Sequence, residues 1–184
     1  MGKKINKKLF IRLGILIIVI AGIILMTNEK NTTVVLETNK GNIVIELYSS
    51  EMPITAGNFE ELVRKGFYDG TISHRIIDNF MIQAGDPTGT GMGGPGYQIK
   101  DEFTETDLDK NERGTIAMAN AGPNTGGSQF FINLVYNQHL DGHHPVFGKV
   151  IEGMEVVDTI AKVKTDNRDK PLEDIKIIKA YVKE

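Results

Sequence analysis

Two stretches of this 184-residue chain set single polar groups among clustered apolar side chains and glycine. One runs from Ser73 to Asp86 (SHRIIDNFMIQAGD), the other from Ala117 to Ile132 (AMANAGPNTGGSQFFI). Arg75 is the distinctive group of the first, a permanent cation that presents a rigid fork of N–H donors. Successive strand residues point to opposite sides. Arg75, Met81 and Gln83 therefore have matching parity, and Phe80 needs a turn at Asp78-Asn79 to join them. A fixed cation beside apolar side chains suits electrostatic work on a bound ligand, with no proton transfer or covalent step. The same residues also fit a plainer account, with Arg75 in a surface salt bridge and the aromatic rings in an ordinary core.

Other chemistries find less support. The chain has no Cys, which removes thiol nucleophiles, disulfides and Cys-based zinc sites. It has no G-x-S-x-G elbow, and sequence gives Ser128 no acid–histidine partner. Gly89 to Gly94 matches G-x-G-x-x-G, but Pro95-Gly96 follows, so no helix opens where a dinucleotide site needs one. His139, His143 and His144, with Asp141 nearby, raise a metal- or ligand-binding β-barrel as an alternative. Adjacent His143 and His144 would point to opposite sides of an extended chain, and zinc wants further ligands. No metal or other cofactor is expected. Asp101-Glu102 reads as a solvated loop.

The elements that must position these groups are mostly strands. Thr33–Glu37 and Asn42–Leu47 flank Asn39-Lys40-Gly41, a hairpin signal. A helix is expected from near Pro53 to just before Gly66, with Ala56, Phe59, Leu62 and Val63 on one face. Short apolar runs follow at 76–77, 80–84, 115–119, 130–135, 146–151 and 175–182, and a second helix at Met154–Ala161. Many short strands, two helices and 20 Gly predict a sandwich or closed barrel. Gly85 to Asn111 is too long for an idle connection and is expected to shape a site.

The start of the chain is different. Six of the 21 basic residues but one of the 24 acidic ones fall within residues 1–30, so the remainder is more acidic than the whole-chain charge of −3 suggests. That argues against nucleic acid as a partner. The apolar run Leu13–Met26 has 14 residues, and 18 if counted from Leu9 past Arg12, against roughly 20 for a membrane span. Basic residues ahead of it predict a single-pass anchor with a cytoplasmic N-terminus and the folded part outside the cell membrane. The alternative is secretion after signal cleavage, which the poor cleavage pattern around Ala21-Gly22 disfavours. The expected organisation is an anchor at 1–26, a linker at 27–32 and a folded domain at 33–184.

Together, Lys65–Thr71 (KGFYDGT), His74–Ile77 (HRII) and Phe80–Asp86 (FMIQAGD) resemble the cyclophilins, in the family's order. The resemblance continues through Gly91 to Gly94, Ala119 to Phe131, Leu140-Asp141-Gly142 and Val146–Val150 (VFGKV), and spans roughly residues 33–182. It implies a mostly β fold: a closed eight-stranded antiparallel β-barrel capped by two α-helices, here preceded by one transmembrane helix. It implies peptidyl-prolyl cis-trans isomerase activity on exported or unfolded polypeptides, with proline-containing chains as partners and a monomeric domain. Arg75 matches the family's main catalytic residue. Phe80, Met81, Phe131 and Leu140 match its proline pocket. Gln83, Asn120, Gln129 and His144 match polar groove positions, Ala119 and Ala121 the groove lining, and Gly91 the wall of the neighbouring subsite. His139 stands where many members have Trp, which should weaken cyclosporin binding, and Ser73 stands where Phe is usual. The compact chain is similar to short bacterial members. A non-catalytic proline-peptide binding module is the alternative function.

Overall fold

The computed structural model describes residues 31–183. Strands β1 (Thr33–Thr38) and β2 (Gly41–Leu47) form the expected hairpin, and helix α1 (Pro53–Arg64) follows. Then come β3 (Arg75–Ile77), β4 (Met81–Ala84), β5 (Thr115–Met118), β6 (Phe130–Asn133), β7 (Val146–Glu152), α2 (Met154–Ala161) and β8 (Ile177–Lys183). Pro53 opens α1, where a missing N–H costs nothing. The helix turns Ala56, Phe59, Leu62 and Val63 inward. The Phe59 ring then meets Tyr68, Phe130 and Phe147 at 5.0, 5.2 and 5.2 Å. α1 packs against β7 and β8, and α2 against β2, β3 and β4.

All eight strands form one antiparallel sheet in the order β3-β4-β6-β5-β7-β2-β1-β8. The expectation of a closed barrel is corrected here, because β3 and β8 are the two edges of an open, curled half-barrel. The physical reason lies in the two edges of β3. Its three residues pair with β4 along one edge, and on the other edge Asp169 O takes the Ile76 N–H, so no ladder to β8 runs along it. Chain leading into it crosses the seam through an isolated bridge between Ile72 and Lys176. Two flanking bonds run from Ser73 N–H to Ile175 O (2.8 Å) and from Ile177 N–H to Thr71 O (2.9 Å).

The expected transmembrane helix has no counterpart among the described residues. Among the described residues no helix is long and apolar enough to cross a membrane, and the segment 1–26 lies outside the described residues. The described residues give no support to the single-pass cell-membrane localisation or to its secreted alternative.

Candidate active site

The sheet register builds the site. Arg75 pairs across β3–β4 with Gln83, Gln83 across β4–β6 with Phe131, and Phe131 across β5–β6 with Ala117. Directly paired residues of an antiparallel sheet project from the same face. Cation, amide, ring and methyl thus form one row on one face. The next positions, Ile76, Ile82, Ile132 and Ile116, form a second row on the other face, all buried in the core. The sequence had treated 75–83 as one strand interrupted by a turn. Two strands carry it instead, and the parity survives because antiparallel pairing sets residue 75 opposite 83.

The turn between β3 and β4 redirects Phe80. Asn79 takes a left-handed conformation (φ 59°), and Phe80 N–H donates to Ile77 O at 3.1 Å. Phe80 and Leu140, both partly exposed, pack against the buried cluster that contains Met81 and Phe131. Met81 and Phe131 are 2% and 4% exposed. The four apolar residues that the family resemblance singled out thus belong to one continuous cluster. His139 stacks on Phe80 at 5.7 Å with the planes 21° apart. His144 meets Phe131 edge-on at 5.4 Å, and its Nδ1 lies 3.1 Å from Met118 O. Burial lowers the His144 pKa, which favours the neutral ring. His139 and His144 therefore serve different contacts. Among the described residues no group of three His, Asp or Glu is arranged to hold a metal.

A polar wall rises beside this floor. Gln83 Nε2 donates to Gln129 Oε1 at 3.0 Å. Gln129 Nε2 donates to Gly91 O and Gly93 O at 3.0 and 2.9 Å. Behind the glycines lies Asp86, wholly buried. Its carboxylate accepts from the N–H groups of Thr88 (2.7 Å), Thr90 (3.0 Å), Gly91 (2.6 Å) and Gly93 (3.1 Å). The Thr88 hydroxyl adds a bond at 2.8 Å. Burial alone would push the Asp86 carboxyl up, but the hydrogen bonds from Thr88, Gly93 and Gly91 prevail and hold it well below the usual carboxylate range. Gly93 leaves no room for a side chain there, because a Cβ would run into the Asp86 carboxylate.

Gln83, Gly91, Ala119, Asn120, Ala121 and Gln129 all line one cavity of about 320 Å³, together with Tyr97 and Thr125. Asn120 Nδ2 donates to His143 O at 2.8 Å, which ties this wall to the His139–His144 segment. The stretch from Gly85 to Asn111 does help to shape the site, since Gly91 to Pro95, Tyr97 and Gln98 line the cavity.

Sequence reading passed over several of these groups. Asp86 had a local signal, an acid followed by Pro, Thr and Gly, which is turn chemistry. Glu102 had none. It is not idle in solvent as expected, because its carboxylate accepts from Ile54 N–H (3.0 Å) and Thr55 N–H (2.9 Å) at the start of α1. Asp101 accepts from Asn124 N–H at 2.8 Å. Asp169 also went unnoticed, and its carboxylate lies 3.6 Å from Arg75 Nε.

The arrangement offers a cation, an apolar floor and a hydrogen-bonding wall. It is suited to gripping an extended peptide and acting on it electrostatically. The model of the family described as cyclophilin type peptidyl-prolyl cis-trans isomerase/CLD matches residues 33–182. A peptidyl-prolyl cis-trans isomerase-like 1 of Gibberella zeae is 50% identical over 156 residues, 83% of this chain and 96% of the relative. Its human namesake is 53% identical over 151 residues, 80% of this chain and 90% of the relative. A crystal structure of a Cryptosporidium parvum cyclophilin type peptidyl-prolyl cis-trans isomerase, in the presence of the dipeptide Ala-Pro, superposes with a TM-score of 0.79 at 39% identity. It covers 83% of this chain and 99% of that one. These relatives are fungal, human and protozoan, which supports the family and not the bacterial subtype. By its fold, its family match and relatives at this level of identity, the chain belongs to the cyclophilin family and is a peptidyl-prolyl cis-trans isomerase.

Proposed function

We propose that the domain speeds rotation about X-Pro bonds of unfolded polypeptides by stabilising the twisted amide with the Arg75 guanidinium. The barrier to this rotation is amide resonance, roughly 18–20 kcal/mol. At the twisted geometry resonance is lost and the prolyl nitrogen regains a lone pair. An N–H donor of a fixed cation then interacts more strongly with the twisted state than with either planar isomer. Only that difference accelerates the step, and each 1.36 kcal/mol of it gives about tenfold.

Phe80, Met81, Phe131 and Leu140 would seat the proline ring. Gln83, Gln129, Asn120 and His144 would hold the neighbouring backbone. Ala119, Ala121 and the Gly91 wall leave space for the residue on one side of the proline. His139 would cover the pocket from its place on Phe80. The observation that carries the reading is the cross-strand row Arg75–Gln83–Phe131, with cation, amide and floor on one face. A neighbour crystallised in the presence of Ala-Pro supports the substrate class.

The test is Arg75→Ala in a protease-coupled peptide assay. Removing a preorganised donor from such a site costs on the order of a hundredfold in turnover. Arg75 is partly exposed, so the fold should be kept, as circular dichroism would report. Turnover at the unmutated level would reject Arg75 as the catalyst.

A further inference from the structure

Asp169 lies in the loop between α2 and β8, far in sequence from Arg75. Its carbonyl oxygen accepts the Ile76 N–H at 2.8 Å, which docks the loop on the strand that carries Arg75. Its N–H donates to Asp166 O at 3.1 Å. The Asp166 carboxylate accepts from the N–H groups of Arg168 (2.8 Å) and Lys170 (3.0 Å), and Thr165 bridges to Pro171. The loop is therefore tied on both sides of Asp169. Asp169 itself has a φ of 64°, a left-handed conformation uncommon outside glycine and found at functional sites when the surroundings enforce it. The outcome is a carboxylate held 3.6 Å from Arg75 Nε.

We propose that Asp169 is a positioning residue for Arg75. It attracts the Nε edge of the guanidinium and so leaves the two Nη groups for the bound peptide. This rests on the reading of Arg75 as the catalyst. Two effects of the carboxylate compete. It restrains a side chain with many rotamers, and it subtracts from the positive potential in the groove. The side chains of Arg75 and Asp169 are 42% and 44% exposed, so solvent and salt damp the second effect. Restraint is screened too, but it acts across 3.6 Å, a shorter range than the potential felt in the groove, and a guanidinium free to leave the productive rotamer loses turnover in proportion. Orientation therefore outweighs the loss of potential.

Asp169→Asn in the full chain separates these effects. Asn tolerates the left-handed backbone, so the loop and the melting temperature should be unchanged while the charge is lost. The expected result is a fall in kcat of up to about fivefold, the range open to an exposed ion pair, with KM unchanged. High salt should lower kcat of the unmutated enzyme toward the variant and leave the variant where it is. Arg75→Ala is measured alongside. If Arg75→Ala keeps its turnover, the catalytic reading fails. If Arg75→Ala is inactive but Asp169→Asn has kcat equal to or above the unmutated enzyme, the positioning role fails alone. A kcat loss that tracks a lower melting temperature also overturns it, since that marks a purely structural residue.

Discussion

Replacing Asp86 by Asn keeps the size of the side chain and removes its charge. One oxygen can still serve the Thr90, Gly91 and Gly93 N–H groups that now converge on Oδ2. The new amide nitrogen then faces Thr88 N–H, donor against donor, where Oδ1 had accepted at 2.7 Å. The Thr88 hydroxyl can rotate to accept, but the backbone N–H cannot. One charge-assisted bond is lost and three fall to neutral strength, a combined loss of about 3 kcal/mol. Asp86 is fully buried, so no solvent discount applies to the carboxylate itself. For a domain of this size the loss corresponds to a melting temperature lower by roughly 6–12 °C. The kinetic consequence follows from Gln129, which hangs on the Gly91 and Gly93 carbonyls. Once those glycines shift, KM should rise several-fold while kcat, which the proposed role of Arg75 governs, changes less. Thermal unfolding by circular dichroism and a substrate titration in the coupled assay measure both. The pH response has a definite sign. The folded Asp86 carboxyl titrates below its ordinary value of 3.8. Its stabilisation is therefore complete above that value and is lost as pH falls through the depressed one. Enzyme and variant should differ by a constant amount near neutrality and converge only in strong acid. A variant that melts within about 2 °C of the unmutated protein with the same KM would refute the role given to the carboxylate.

Two further outcomes concern the core beside the site. Ser73 lines a small internal cavity of about 20 Å³ with Leu36, Ile43, Ile82, Phe130 and Ile160. Ser73→Val should fill part of it and raise stability by about 1 kcal/mol in urea unfolding; a lower midpoint would mean that the space cannot take the added methyl groups. His74 is buried with both ring nitrogens unpartnered among the described residues, and burial lowers its pKa from 6.5. The unfolded chain then binds a proton that the folded one refuses, so stability should decline below pH 6.5 by up to about 1.4 kcal/mol per pH unit. His74→Leu should flatten that decline in part, leaving the contribution of His144, and an unchanged slope would show that His74 is not its source.

What could be read along the chain was whatever depends on near neighbours. Pro53 and Gly66 bracket α1, and α2 at Met154–Ala161 has the range expected from its apolar pattern. The hairpin signal at Asn39-Lys40-Gly41 marks the turn from β1 into β2, whose first residue is Gly41. Counting along one strand put Arg75 and Gln83 on one face, but they share it because the β3–β4 pairing sets them opposite each other. The motifs around them carry the family, and with it the chemistry to look for.

Tertiary structure decided the matters that depend on residues far apart. Whether the sheet closes turns on how much edge β3 and β8 present to each other, which no periodicity records. Glu102 reaches the start of α1 some 47 residues away. Asp169 meets Arg75 through a loop that arrives from the other end of the domain. Period and composition register which way a side chain points relative to its neighbours in sequence. They do not register which distant backbone amide or guanidinium it will meet, because that is set by packing the whole sheet and its loops at once.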